Sequence, residues 1–246
     1  HPAVDRSLES NTYSLMSYTA PEEGWYNNLD NWAISHTPML LDVAALQFLY
    51  GAQTHNVGPT TYDDWDETIP FASTIWDSSG IDTLDFSNFT LGHNISLVDG
   101  TSSTINFPDY DYTTQTGWDF GQLPNNLSIA PGAEIENVIG GDGNDTIVGN
   151  GLANTINGGL GDDTMTGGNG ADIFEFFNDF GDDNILDFDT SSDKLKFLDE
   201  DLNLIASASI TPESVDGNLV LTLGDSSLTL TGLAGTTLDD SFLVIA

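Results

Sequence analysis

Between residues 140 and 176 the chain repeats itself every nine residues, and that period restricts the possible folds more than any other feature of the sequence. Glycine pairs begin at 140, 158 and 167, and Gly149-Asn150 stands as a degenerate pair in the gap. The sixth position of each nonamer carries Asp145, Asn154, Asp163 and Asp172; the eighth carries Ile147, Ile156, Met165 and Phe174. A glycine pair tolerates positive φ, so the chain can turn tightly while aiming its carbonyls inward. After each turn comes a short extended piece such as Thr146-Ile147-Val148, whose central side chain can enter a narrow core. A flexible Gly/Asn/Asp linker would not hold an apolar residue at a fixed place in a nine-residue register. Stacked nonamers predict a parallel β-roll.

The aspartate adds a hard, anionic oxygen to each turn. Calcium takes 6–8 oxygen ligands and accepts mixtures of carbonyls and carboxylates, and glycine-rich nonapeptides of this form are calcium-binding repeats. Several calcium ions are therefore expected between successive turns. The charge agrees: 39 acidic residues face three basic ones, a formal net charge of −36. Nucleic acid is excluded as a partner, because its phosphates would be repelled. An aromatic content of 10% with repeated apolar stretches argues against permanent disorder. There is no cysteine, so disulfides contribute nothing. No apolar run approaches the ~18 residues of a membrane span, and no basic-then-apolar leader opens the chain. The expectation is a soluble monomer, exported, if at all, by a signal elsewhere.

The repeats resemble the calcium β-roll of RTX proteins. The segment leading into them, LSIAPGAEIENVIGG from Leu127 to Gly141, is similar to one branch, the serralysins, which are secreted bacterial zinc metalloproteases. Asp183-Asn184-Ile185-Leu186-Asp187-Phe188, followed by Asp193-Lys194-Leu195, matches the serralysin pattern after the last repeat. Ser14-Leu15-Met16-Ser17-Tyr18 resembles the Met-turn of metzincins, and His1-Pro2 resembles the close of their H-E-x-x-H-x-x-G-x-x-H-P motif. The resemblance implies His1 as a zinc ligand, Met16 beneath the site and Tyr18 as an auxiliary ligand. The first two zinc histidines and the general base are absent: His36, His55 and His93 follow no H-E-x-x-H spacing.

For calcium, the resemblance implies a loop ligated by Asp77, Ser79, Gly80 and Asp82 together with Glu134 and Glu136. Across the repeats it implies Gly141, Gly143, Asp145, Asn150, Leu152, Asn154, Gly158, Gly159, Leu160, Gly161 and Asp163. It continues through Gly167, Gly168, Gly170, Asp172, Asp179, Asp183 and Asp193. Asp63-Asp64-Trp65-Asp66-Glu67 stands where the family completes the Asp77 loop, with a departing pattern.

Residues 37–51 predict a helix, with Thr37 as cap, Pro38 in its first turn and Gly51 as a left-handed stop. Its circumference is apolar nearly all round, which predicts burial; an exposed partner-binding helix is the alternative. Short strands are expected at 73–76, 83–86, 94–98 and 127–130, and period-two alternation around Gly224-Asp225 predicts a hairpin. The tail Asp239-Asp240-Ser241-Phe242-Leu243-Val244-Ile245-Ala246 is similar to the uncleaved signal of type I secretion substrates, or is a closing strand.

The expected organisation is a catalytic-domain remnant over 1–52 and a mainly β roll merged with a β-sandwich over 53–246. Two functions fit. One is the C-terminal part of a secreted zinc metalloendopeptidase acting on protein or peptide substrates, with calcium in the roll, zinc in the full-length enzyme and the type I machinery as partner. The other is a non-catalytic calcium-binding module for secretion, stability or partner binding.

Overall fold

The structure is a computed structural model that describes residues 34–35, 38–51, 54–108, 124–177, 179–206, 209–238 and 240–244. Its elements run β1 (Ile34–Ser35), α1 (Leu40–Tyr50), β2 (Thr61–Tyr62), β3 (Phe71–Ile75), β4 (Thr83–Asp85), β5 (Asn94–Ser96) and β6 (Ser102–Ser103). They continue with β7 (Leu127–Ile129), β8 (Asn137–Ile139), β9 (Thr146–Val148), β10 (Thr155–Asn157), β11 (Thr164–Thr166) and β12 (Ile173–Phe176). The last are β13 (Asp182–Ile185), β14 (Lys194–Phe197), β15 (Thr211–Val215), β16 (Asn218–Leu223) and β17 (Ser226–Leu230).

Successive repeats alternate between two sheets, in each of which the repeat strands pair in parallel. One has the order β14-β12-β10-β8-β4-β2 and the other β15-β16-β17-β13-β11-β9-β5. Thr155 therefore pairs with Asn137 and Ile173, while Thr164 pairs with Thr146, so two nonamers make one coil. Ile147, Ile156, Met165 and Phe174, the eighth-position residues, are all 0% exposed and face one another across the roll. A pleated strand buries alternate residues, so three residues per rung place one side chain inside. The backbone ladder sets the separation between coils and the turns absorb added residues, since Thr164 pairs 18 positions on from Thr146, Asn184 pairs 20 on from Thr164, and Lys194 pairs 21 on from Ile173.

The roll grades into a third sheet, β1-β3-β7-β6, which supplies the sandwich-like end. Its aromatic core includes Trp65 stacked on Phe71 and Phe86, with ring centroids 5.3 and 4.8 Å away. β1 pairs in parallel with β3, so a piece of the expected N-terminal segment belongs to this sheet. The expected hairpin forms, with β16 antiparallel to β17, and β15 adds an exposed outer strand. The tail closes the other edge: Val244 N donates to the Leu195 carbonyl at 2.9 Å, and Phe242 and Leu243 are buried.

The helix departs from expectation in two ways. It starts at Leu40, with Met39 rather than Thr37 as its N-cap, and Asp42 accepts from Met39 N at 3.0 Å. Thr37 itself lies outside the described residues. Nor is α1 largely buried: Val43 reaches the core, whereas Phe48 is 89% exposed and Leu49 and Tyr50 also stand out. Val43 joins the core, and Gln47 Nε2 donates to the Pro131 carbonyl at 3.0 Å. Gly51 has positive φ but extended ψ, so it ends the helix without an αL cap.

Candidate metal centres in the glycine turns

The turns stack on two sides of the roll. On one, 140–145 is followed by 158–163 and then by the approach to β13; on the other, 131–136 is followed by 149–154, 167–172 and 187–193. Gly159 and Gly168 have φ of +100° and +94°, and a Cβ on either would overlap the carbonyl oxygen of Gly141 or Asn150 in the preceding turn. Only glycine permits both this φ and this approach. The carbonyls of Gly141, Asn150 and, against Gly170, Leu152 therefore face the next turn at close range. Leu160 N donates to the Gly141 carbonyl at 2.9 Å, while the Leu160 side chain points to solvent.

Sixth-position side chains form a ladder. Asp163 Oδ1 accepts from Asp145 N at 2.7 Å, Asp183 Oδ1 from Asp163 N at 2.8 Å, and Asp172 Oδ1 from Asn154 N at 2.8 Å. The second oxygen of each, Oδ2 of Asp163, Asp172 and Asp183, is buried and accepts nothing. Burial pushes Asp163 up to about 7 and Asp183 to about 8, and raises Asp172. An isolated ionised carboxylate in such a place is costly without a counter-charge. The ion pair among the described residues, Lys196 with Glu175, lies on β14 and β12 and offers these oxygens nothing. A desolvated anionic oxygen beside inward carbonyls, with no protein donor, is a donor set that fits calcium. Among the described residues no three carboxylate or imidazole side chains converge on one point, so any ion here must draw mainly on backbone carbonyls.

Not every implied ligand shares this arrangement. Asp145 is satisfied by His93 N at 2.6 Å and Gly141 N at 2.9 Å, yet burial still pushes it up to about 6. Asp193 accepts from Asp172 N at 3.1 Å and Asp189 N at 2.8 Å. Asp187, part of the pattern after the last repeat but not among the implied ligands, accepts from the Gly167 and Gly168 amides, both at 2.9 Å. Asp179 lines a shallow cavity with Phe180, Glu200 and Gly224. Around Gly143 and Gly161 the turns touch backbone to backbone.

A second centre surrounds Asp77 and Asp82, both 0% exposed. Tyr62 Oη donates to Asp77 Oδ2 at 2.8 Å, and Thr60 N donates to Asp82 Oδ1 at 2.7 Å. Asp82 N donates to Glu136 Oε2 at 2.8 Å, and Glu134 N reaches the Asp77 carbonyl at 3.4 Å. Ser79 N approaches Asp77 Oδ1 at 3.4 Å, and Gly80 packs against the Gly58 carbonyl. Asp82 Oδ2 is buried without a partner, and burial raises Asp82 and Glu136 and holds the Tyr62 hydroxyl protonated. The segment completing this centre is Gly58–Tyr62, not 63–67. Glu67 turns away to accept from Thr90 N at 2.8 Å, and Asp66 caps Thr68. Gly58, Thr60 and Tyr62 were missed because the parallel pairing of β2 with β4 brings them there; a glycine ahead of a short alternating run was the available signal. His1, Met16 and Tyr18 lie outside the described residues.

A parallel β-roll with two nonapeptides to each coil and glycine-lined turns is thus the class of fold. Residues 47–211 match the family described as Peptidase M10 serralysin C terminal, and the chain belongs to that family. It is 36% identical over 160 residues to a serralysin of Photorhabdus luminescens, covering 60% of this chain and 29% of that protein. It is 38% identical over 159 residues to metallopeptidase AprA of Pseudomonas marginalis, covering 58% of this chain and 30% of that protein. The matched stretch is thus under a third of either relative. Among solved structures, the extracellular lipase LipA of Serratia marcescens aligns with a TM-score of 0.40 and 19% identity, covering 80% of this chain and 41% of that one.

Proposed function

We propose that this chain is the C-terminal part of a secreted serralysin-like zinc metalloendopeptidase, and that residues 53–246 are a calcium-dependent folding and stability module. The observation that carries the calcium reading is the set of buried, partnerless oxygens on Asp82, Asp163, Asp172 and Asp183. Calcium between turns would be held by these oxygens and by carbonyls such as those of Gly141, Asn150 and Leu152. Bound calcium supplies positive charge where the chain has none, and binding only the folded form adds stability by mass action. Export in an unfolded state through the type I machinery, read from the tail at 239–246, suits this design. Carboxylates repel while calcium is scarce, and the roll closes once it is plentiful.

The catalytic side of the proposal is peptide hydrolysis at a zinc site that His1 completes, with Tyr18 as auxiliary and Met16 beneath, inside a remnant spanning 1–52. Such a site needs three protein ligands and an open position. The chain alone is therefore expected not to hydrolyse casein, mass spectrometry having excluded any upstream peptide; zinc-dependent turnover from that sample would sink the assignment. Calcium titration followed by circular dichroism tests the module. Saturable uptake of several ions with a gain of β signal is expected, and a spectrum indifferent to calcium would refute the proposal.

A further inference from the structure

The turn 149–154 breaks the glycine rule at its second position, where Asn150 carries a side chain that the closely stacked Gly159 and Gly168 could not. Its amide is oriented without ambiguity. Asn150 Oδ1 accepts from Leu152 N at 2.8 Å, so the other branch is nitrogen, and it donates to the carbonyls of Ile135 at 2.7 Å and Leu97 at 3.2 Å. Asn154 follows the same logic. Its Oδ1 accepts from Asn150 N at 2.9 Å, and its Nδ2 donates to the Glu136 carbonyl at 3.0 Å and to Asn150 Oδ1 at 3.1 Å. In later turns the carboxylates of Asp163, Asp172 and Asp183 each keep a buried oxygen with no donor. Here every inward oxygen named already faces an N–H.

We infer that the side-chain amides of Asn150 and Asn154 stand in for a cation between turn 131–136 and turn 149–154, and that this gap binds none. The inference rests on the calcium reading of the later turns. A divalent ion in this gap would meet the positive ends of two amide N–H₂ groups and would have to displace bonds the backbone has already fixed. The amides also tie together three separate stretches, at Leu97, Ile135–Glu136 and the turn itself. This turn therefore forms a cation-free floor on which the calcium-requiring turns stack. The carbonyls of Asn150 and Leu152 remain directed at the following turn, so the side chains and the backbone of one turn serve different gaps.

Asn150 is the informative position, because truncating its side chain leaves its carbonyl in place. Calcium bound per chain is measured by equilibrium dialysis at saturation for the 246-residue wild type, Asn150→Ala and Asp163→Ala. Asn150→Ala should bind as many ions as wild type, and Asp163→Ala one fewer. Loss of an ion from Asn150→Ala would overturn the inference while leaving the calcium reading intact; no calcium bound by wild type would overturn both. Should Asn150→Ala fail to fold, the calcium-saturated wild type decides. The Asn150 Nδ2 protons should exchange with solvent at least about tenfold more slowly than an exposed amide, as hydrogen-bonded groups do. Exchange at the exposed rate would overturn the inference.

Discussion

Asp145 and Asp163 occupy the same position in consecutive turns of one stack, and both are nearly inaccessible to water. Asp145 is held by two backbone donors, one of them the amide of His93 from outside the repeats. Asp163 has a donor for one oxygen and nothing for the other. The neighbouring coil treats both alike, since His93 N donates to Asp145 Oδ1 as Asp145 N donates to Asp163 Oδ1. The difference is the turn's own second glycine, because Gly141 N reaches Asp145 Oδ2 whereas Gly159, at φ +100°, gives its N–H to Asn157 Oδ1. At Asp163 the neighbouring repeat supplies one amide and the Gly141 carbonyl but no second donor, so one buried carboxylate oxygen is left without a counter-charge.

Removing calcium should break this comparison most severely. A chelator is expected to lower the melting temperature by more than about 10 °C, since each saturated site contributes ~4 kcal/mol at high excess and large domains shift by ~2–4 °C per kcal/mol. Unchanged scanning calorimetry with and without chelator would remove the distinction between Asp145 and Asp163 altogether.

Asparagine substitution sharpens it. In calcium, Asp163→Asn should destabilise by ~2 kcal/mol through loss of a charged ligand; in chelator near pH 8 the same change should stabilise by a similar amount, because it deletes a buried charge. Asp145→Ala should destabilise by ~2 kcal/mol in both conditions, since its donors are protein amides. Urea denaturation of both variants, with and without calcium, checks the sign reversal.

The pH dependence follows from the same buried groups. Without calcium, Asp163 at about 7 and Asp183 at about 8 lie above the ordinary 3.8, so the folded chain holds protons that the unfolded chain has released. The associated stability is fully present below the unfolded value and is lost as pH rises through 7 to 8. His93, buried among Phe86 and Phe89, is pushed down from 6.5 to about 4, so it lowers stability only as pH falls below 6.5. Between pH 6.5 and 8 the carboxylates act alone. The calcium-free chain should lose stability across that window, whereas the calcium-saturated chain should not; parallel curves would refute the reading.

The smallest effect is expected at Asn154, a neutral side chain. Asn154→Ala should cost less calcium affinity than Asp163→Ala, as it removes no charge from an ion. A calorimetric titration showing the reverse order would contradict that ranking.

Much of this was legible in the chain. The nine-residue register prescribes the coils, their inward residues and the two alternating sheets, because backbone pairing at fixed spacing leaves a strict repeat no other way to bury Ile147, Ile156, Met165 and Phe174. Period-two alternation likewise prescribes the β16–β17 hairpin. Helix α1 was misread for a physical reason: apolarity all round says that a helix can be covered, and says nothing of what covers it.

The sequence by itself determined the periodic part of the protein, since local geometry repeated often enough fixes its own long-range contacts. Tertiary structure alone decided what each repeated residue does. Parallel pairing of β2 with β4 delivered Gly58, Thr60 and Tyr62 to the Asp77–Asp82 centre in place of 63–67. Likewise, the Gly141 amide separates Asp145 from Asp163, and the carbonyls of Leu97 and Ile135 give the Asn150 amide its partners. The Asn150 partners come from outside the repeats, and a buried oxygen's demand for positive charge depends on whether the folded backbone aims an N–H at it.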